Sequence, residues 1–418
     1  MPQGKTVPLT TGDDLELRVA QVRFWEGYFV RSGIDLQTQY GASVIQVTDL
    51  DLLAFSFGPH LEPRKTIGES KSGSGRSAPK PLDRIVWLRG LRALVSADSA
   101  ELTIKGTATR QVRDLGRQLG VTVQSMADLK AREDAVQLKA VAGVGAYGVE
   151  AVELRERVRV ISQSDPVLQS AYKFVRSTVW FLDPFAAAKQ TIGLLSTLTM
   201  RWVPKVEDDA NRAVRWLIAE SVSVLGLNIL LIASQMQPMS PKEFSELIEE
   251  RLSDGLVPAA KMKELSKRID RYVAGLLAAA DAPTSIRADA MGAFFPEPPD
   301  FASSLAELAV RFARAHNGAT LPRRIEMLMH ERVARGRQPS SEVAERLGLA
   351  EIPTEISAFA AFLRRFTGLT ADISSALTSP VIPGAGRTAA AIGSQVTQPS
   401  RRLGDDTLSV FESEPTED

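Results

Sequence analysis

The chain has 418 residues, of which 44% are hydrophobic and 24% charged, and its 50 basic and 50 acidic side chains cancel. This composition predicts a soluble globular protein of two or three domains, and the net charge offers no chain-wide signal for nucleic acid. The absence of cysteine excludes disulfides, thiolate metal sites and cysteine nucleophiles. Only three histidines are present, without a zinc-binding spacing, so a metal site would rely on carboxylates.

The first 130 residues alternate helix and strand patterns. A helix is predicted from a cap at Thr11 or Asp13 to Gly33. Three strands rich in β-branched and aromatic residues should follow, the second of them long and with a bend near Thr48. These strands are predicted over Leu36–Tyr40, Val44–Phe57 and Lys65–Lys71.

A second group of elements continues this pattern. Apolar spacing and turn residues predict helix, strand, helix and strand over Leu82–Val95, Leu102–Ile104, Arg110–Leu119 and Val121–Val123. The first three strands could form an antiparallel meander, and the last two would join it through helical crossovers. We therefore expect an α/β domain with a mixed sheet flanked by helices over residues 1–130.

Helical patterns dominate from about residue 131. The most apolar run, Val222–Ala233, is too short for a membrane span and contains Asn228, so a buried core helix is expected. We expect an α-helical domain of unknown role over residues 131–379 and a disordered tail over 380–418. The N-terminus lacks an apolar segment, which predicts a cytoplasmic protein without membrane association. Helical runs are predicted over Ala213–Ala233, Pro241–Ser253, Ala259–Ala279, Ser304–Ala315 and Ile356–Phe366.

Carboxylates and a lysine lie in phase with apolar residues on two of the predicted strands. On a regular strand, side chains two apart share a face, which groups Asp49 with Asp51 and Glu69 with Lys71. Unpaired charges at the ends of core-facing rows are costly, and a bound cation would remove that cost. Two carboxylates on adjacent strands suit Mg²⁺ or Mn²⁺, with the Ser70 carbonyl as a further ligand. Lys71 would orient or deprotonate a water, or stabilise charge at phosphorus.

A local excess of basic residues accompanies these side chains. Between Arg64 and Arg92 there are eight lysines and arginines against two acidic residues. On a loop and the helix after it, these side chains could contact phosphates. The candidates for nucleic-acid binding are Arg76, Lys80, Arg84 and Arg89.

Asp51, followed eighteen positions later by Glu69-Ser70-Lys71, resembles the signature of the PD-(D/E)XK nuclease superfamily. The segment from Ala100 to Leu129 resembles the strand–helix–strand that closes the fold of the Mrr-like members, and the superfamily also includes restriction endonucleases and Holliday-junction resolvases. The resemblance covers roughly residues 13–130. It implies a restriction-endonuclease-like domain in which Asp51 and Glu69 are metal ligands and Lys71 is the catalytic lysine.

The chain departs from the superfamily pattern at some points. Leu50 stands where the proline of the family name would be. Many members carry a glutamate on the first helix, for which Glu16 and Glu26 are the candidates, with Glu26 favoured because it is closer to the strand. Asp49 is a further candidate ligand. The tripeptide alone is weak, since Asp128-Leu129-Lys130 also fits it.

The leading expectation is an Mg²⁺-dependent endonuclease acting on nucleic acid, with DNA favoured, and by analogy an effector in bacterial anti-phage defence. The helical part would select substrate, form a homodimer or dock a partner protein. The alternative is a catalytically inactive nuclease fold that binds nucleic acid or scaffolds a complex. A third class is a helical interaction protein for which residues 1–130 are dispensable.

Overall fold

The computed structural model describes residues 11–40, 43–71, 80–204, 206–237, 239–254, 259–280 and 297–381. Arg76 and positions 382–418 of the expected tail lie outside these ranges. Within the described part, the N-terminal region is α/β and everything after it is helical. The strands are β1 (Phe29–Arg31), β2 (Ile34–Tyr40), β3 (Ser43–Leu50), β4 (Leu52–Phe57), β5 (Pro63–Lys71), β6 (Ser99–Ile104) and β7 (Val121–Ser125).

The helices of the α/β part cover the two faces of the sheet, and eleven further α-helices follow within the described residues. The first four helices are α1 (Thr11–Trp25), α2 (Pro81–Leu94), α3 (Arg110–Leu119) and α4 (Met126–Ala135). The remaining helices are α5 (Val149–Ser162), α6 (Pro166–Arg176), α7 (Pro184–Arg201), α8 (Asp209–Ala233), α9 (Pro241–Ser253), α10 (Ala259–Ala279), α11 (Ala302–Arg314), α12 (Leu321–Leu328), α13 (Ser341–Leu347), α14 (Thr354–Thr367) and α15 (Ala371–Thr378).

A five-stranded mixed sheet has the order β1-β4-β5-β6-β7. The β1–β4 and β4–β5 pairs are antiparallel, and β5–β6 and β6–β7 are parallel. The predicted crossovers through α2 and α3 are therefore confirmed, and so is the coarse expectation of an α/β part with a mixed sheet followed by a helical part.

The predicted antiparallel meander is wrong in its details. The single long strand expected over Val44–Phe57 is two strands, β3 and β4, which belong to different sheets and are separated by Asp51. Strand β3 pairs with β2 in a separate two-stranded sheet, and β1, which the sequence did not indicate, occupies the place beside β4. The chain bends at Asp51, and a β-bulge at Val47 lies beside the bend expected near Thr48, because Leu36 pairs with Thr48 and Gln37 with Gln46.

Side chains of the sheet alternate between two cores. Leu52 and Ala54 belong to a buried cluster that also contains α1 and most of the helical region. Leu53 and Ile67 belong to a second cluster on the α2 face, to which Trp180 and Leu227 of the helical region contribute. The α/β and helical parts thus share both cores, while the boundary at residue 130 stays a prediction.

Helix α8 runs through the centre of the helical part. Its apolar segment, with the turn that continues it (Asp209–Met236, mean hydropathy 1.9), is the one helix within the described residues long and apolar enough to cross a membrane by length and composition. The protein itself buries 89% of that segment's most apolar window. This burial confirms the prediction that α8 is a core helix. The cytoplasmic location stays a prediction.

Candidate functional site

Asp51 lies at the point where the chain leaves the two-stranded sheet and enters the five-stranded one. It is the single residue between the end of β3 at Leu50 and the start of β4 at Leu52. Its Oδ2 accepts a hydrogen bond of 2.7 Å from the backbone N–H of Ser70 on β5. This bond fixes the carboxylate beside the C-terminal end of β5, where the other two predicted site residues lie.

Glu69 is buried on the α2 face of β5, with 5% of its surface exposed. Its neighbour in phase, Ile67, is fully buried in the core on that face, as the strand pattern predicted. Glu69 Oε1 lies 2.7 Å from Lys71 Nζ and 3.4 Å from Arg84 Nη1. The second oxygen, Oε2, is buried and has no hydrogen-bond partner within the described residues.

Lys71 ends β5 and joins the two carboxylates. Its Nζ lies 4.0 Å from Asp51 Oδ2 as well as 2.7 Å from Glu69 Oε1. Its side chain is 32% exposed, whereas those of Asp51 and Glu69 are 15% and 6% exposed. The three predicted residues therefore converge on one point, with the ammonium group on the solvent side.

The environment of Asp51 makes this carboxyl group harder to ionise than an exposed aspartate. Burial raises the pKa of Asp51, and the nearby charges of Glu69 and Asp49 act in the same direction. The Ser70 hydrogen bond and the Lys71 charge oppose this shift without cancelling it. A further positive charge placed between the two carboxylates would relieve this electrostatic cost.

Asp49 does not share a strand face with Asp51, because the strand is interrupted between them. It pairs in register with Asp35 on β2, and its Oδ1 accepts a hydrogen bond of 2.6 Å from Gln46 Nε2. The carboxyl groups of Asp35 and Asp49 are close enough that burial and hydrogen bonding to Asp49 raise the pKa of Asp35. Asp49 thus influences Asp51 through its charge, but the shared-face prediction for it is wrong.

Glu26 is not brought to this site. Its carboxylate is bound by Arg132 Nε at 2.7 Å and by Arg23. Arg132 also binds Glu101 on β6, which is in register with Gly68, whereas Glu69 is in register with Leu102. Since neighbouring residues along a strand point to opposite faces, Glu26 lies on the α1 face and Glu69 on the α2 face. The preference for Glu26 as a ligand is therefore wrong.

The predicted phosphate-contacting residues have different surroundings. Arg84 is directed at Glu69 and lies over the Trp87 ring at 5.7 Å from its centroid. Lys80 and Arg89 are exposed, but Arg89 is turned about 140° around α2 from Arg84. Sequence reasoning missed Lys105, which is exposed beside the site and whose N–H donates to the Lys71 carbonyl at 3.1 Å. The register of β6 beside β5 is what brings it there.

The second tripeptide match, Asp128 to Lys130, has a structural role. Asp128 forms a capping box with Ser125 at the start of α4, and its hydrogen bonds lower its pKa to about 2. Lys130 pairs with Asp134 one turn further along the helix. This copy of the pattern stabilises a helix, which makes Lys130 a suitable control residue.

Comparisons with known proteins add little. No protein-family profile and no curated protein match the chain. Among solved structures, the chain is similar to one titled "Crystal Structure of Protein of Unknown Function AF1548", with 10% sequence identity and a TM-score of 0.21. The alignment covers 50% of the present chain and 96% of the solved one. A likeness at this level carries no argument about function, so the functional case depends on the site alone.

Proposed function

We propose that this protein is a metal-dependent nuclease that hydrolyses phosphodiester bonds of nucleic acid, with DNA as the expected substrate and Mg²⁺ or Mn²⁺ as the metal. One observation carries the proposal: Asp51, Glu69 and Lys71 converge, and Glu69 presents a buried Oε2 without a partner in the described part of the chain. An unpaired buried carboxylate oxygen costs free energy that a cation would recover.

The donor set fits a small hard cation. Asp51 and Glu69 offer carboxylate oxygens. The described residues contain no group of three or more His, Cys, Asp or Glu side chains able to hold a metal, so these two carboxylates would be its only side-chain ligands of this kind there. Two carboxylates are enough for Mg²⁺, which keeps several of its waters. The Ser70 N–H orients Asp51, and the Ser70 carbonyl remains a candidate third ligand. When bound, the ion would polarise the phosphate and lower the pKa of a water.

Lys71 and Arg84 both neutralise Glu69 Oε1. A cation held by the carboxylates would take over this charge compensation. The Lys71 ammonium group, at the exposed side of the site, would then stabilise charge that develops at phosphorus or orient the attacking water. Arg84 and the exposed Lys105 would hold the flanking phosphates.

A second candidate function is a nuclease fold without catalysis, used to bind nucleic acid or to scaffold a complex. The contacts of Lys71 and Arg84 with Glu69 Oε1 favour it, because these two side chains already compensate the charge of that oxygen. This alternative leaves Oε2 unexplained, which is why we place catalysis first.

A cleavage assay on supercoiled, linear and single-stranded DNA and on RNA separates the two. Each substrate is incubated with Mg²⁺, with Mn²⁺ and with EDTA. Cleavage that requires the metal supports the nuclease. Binding of nucleic acid without cleavage of any substrate under either metal would favour the scaffold.

A further inference from the structure

A cavity of about 230 Å³ lies at the opposite end of β5 from Glu69 and Lys71. It is lined by β4, the start of β5, the turn that precedes β6, the segment between α6 and α7, and the C-terminal third of α8. Lys65, which lines it, precedes Lys71 by six residues, or roughly 20 Å along an extended strand. It is therefore separate from the proposed nuclease site.

The cavity has an apolar, partly aromatic wall. Phe55 and Trp180 lie in a stacked arrangement with ring centroids 6.3 Å apart, and Leu227 and Leu231 of α8 line the cavity with them. Trp180 Nε1 is already satisfied by the Val175 carbonyl at 2.8 Å. This wall therefore offers planar and aliphatic surface without polar atoms in need of partners.

Lys65 supplies a cation to this apolar surface. Its Nζ donates one hydrogen bond, of 3.2 Å, to the Val95 carbonyl and lies 5.9 Å from the centroid of the Phe55 ring. An ammonium group has three donors, so the bond to Val95 leaves capacity for a ligand. Burial lowers the pKa of Lys65, and the charge of Asp98 offsets this only in part. An anion beside Nζ would offset the rest.

Asn228 supplies a second polar group from the C-terminal third of the most apolar helix. It is 5% exposed, and its Nδ2 donates to the Val224 carbonyl of its own helix at 2.9 Å. Its side chain also lines the cavity, so its amide oxygen can serve as an acceptor there. An amide oxygen in the lining of a cavity favours a ligand that brings an N–H or O–H donor.

We propose that this cavity binds a small aromatic carboxylate that carries a hydrogen-bond donor. The carboxylate pairs with Lys65, the ring packs between Trp180 and the α8 leucines, and the donor faces Asn228. The volume is below the roughly 300–1,000 Å³ typical of drug-sized ligands, so the ligand is a single ring system rather than a larger molecule.

Indole-3-acetate is a suitable probe because it combines a flat ring, a carboxylate and an N–H donor. Binding to the full chain is measured by saturation-transfer NMR and by tryptophan fluorescence. We expect saturable binding with a Kd on the order of 0.1–1 mM, the range for a ligand of this size. Tryptamine, which has the same ring but a cationic side chain, should bind about tenfold more weakly or not at all.

Two variants locate the binding. Lys65→Gln removes the cation and should weaken indole-3-acetate at least about tenfold, while Leu227→Trp fills the cavity and should abolish binding. The control Lys130→Gln removes an exposed lysine on α4, away from both sites, and should leave Kd unchanged. A urea midpoint near that of the wild type shows that a variant is folded. If Leu227→Trp does not fold, the affinity of Lys65→Gln for indole-3-acetate and that of the wild type for tryptamine still test the proposal.

Three results would overturn the proposal. One is the absence of saturable binding by the folded wild type at about ten times the highest expected Kd. Another is equal affinity for tryptamine and indole-3-acetate. The third is an unchanged Kd in both folded cavity variants, which would place the probe elsewhere.

Discussion

Replacing Arg31 with methionine should destabilise the whole protein, because this residue joins the sheet to the helical part. Arg31 is on β1 and is 3% exposed. Its Nε lies 2.6 Å from Glu220 Oε1 on α8, and its Nη1 lies 2.8 Å from Glu326 Oε1 on α12. Both carboxylates are at most 1% exposed.

The magnitude follows from what the substitution leaves behind. Glu220 would keep His330, at 3.0 Å, and Glu326 would keep the Tyr147 hydroxyl, at 2.5 Å, but neither would have its arginine. Removing one partner of a buried ion pair costs about 3–5 kcal/mol. Glu326 can take up a proton, since burial raises its pKa, so we expect a loss near the lower end of that range.

The free energy of unfolding is measured in urea by circular dichroism and by tryptophan fluorescence, whose coincidence tests for a single transition. Arg159→Ala is the control, since its pair with Glu156 is exposed and should contribute less than about 1 kcal/mol. Arg31→Met combined with Glu220→Gln and Glu326→Gln should recover much of the loss. A loss for Arg31→Met no larger than that of the control would refute the reasoning.

Three further predictions concern pH, packing and the shared core. Burial opposes ionisation of Glu220, but Arg31 and His330 outweigh it and lower its pKa. Wild type should therefore have a higher free energy of unfolding than Glu220→Gln, and this difference should be largest above about pH 4.3 and decrease as the pH falls below that value. A difference that stays constant down to about pH 3 would contradict this prediction. A methyl group on Gly68 would lie 2.9 Å from Leu52 Cδ2, so Gly68→Ala should cost about 1–3 kcal/mol and weaken Mn²⁺ binding. In the control Gly90→Ala, the exposed helix position has open space for the methyl group, so the free energy of unfolding should rise by about 0.5–1 kcal/mol. Equal effects of Gly68→Ala and Gly90→Ala on urea unfolding would refute the packing argument. Because α1 and the helical part form one buried cluster, a fragment without residues 1–125 should lose its cooperative urea transition; a fragment that keeps it would show that the helical part is independent.

The elements that the sequence predicted best are those with local signals. Helix α3 was predicted with its exact bounds, because Thr109 caps its start and Gly120 takes the left-handed conformation that ends it. The strand phase of β5 correctly placed Glu69 in line with the buried Ile67. Convergence of Asp51 with Glu69 followed from the same pattern, since adjacent antiparallel strands bring distant positions together.

What the sequence did not reveal depends on tertiary pairing. The run around Asp51 is β-prone on both sides, so nothing local shows that its two halves enter different sheets. The three-residue strand β1 is too short to show alternation. Glu26 was placed by proximity in sequence, yet the side of the sheet on which α1 packs depends on how the chain crosses between faces. The Arg84 contact with Glu69 likewise requires the packing of α2 on β5.

Cleavage by site variants tests the central claim most directly. Metal-dependent cleavage of plasmid DNA is compared for wild type, Glu69→Gln, Lys71→Met and the control Lys130→Ala, whose lysine occupies the tripeptide on α4. The proposed site predicts that Glu69→Gln and Lys71→Met lower the rate at least about 100-fold, while Lys130→Ala cleaves like wild type. Cleavage at the wild-type rate by folded Glu69→Gln and Lys71→Met would show that the reaction occurs elsewhere.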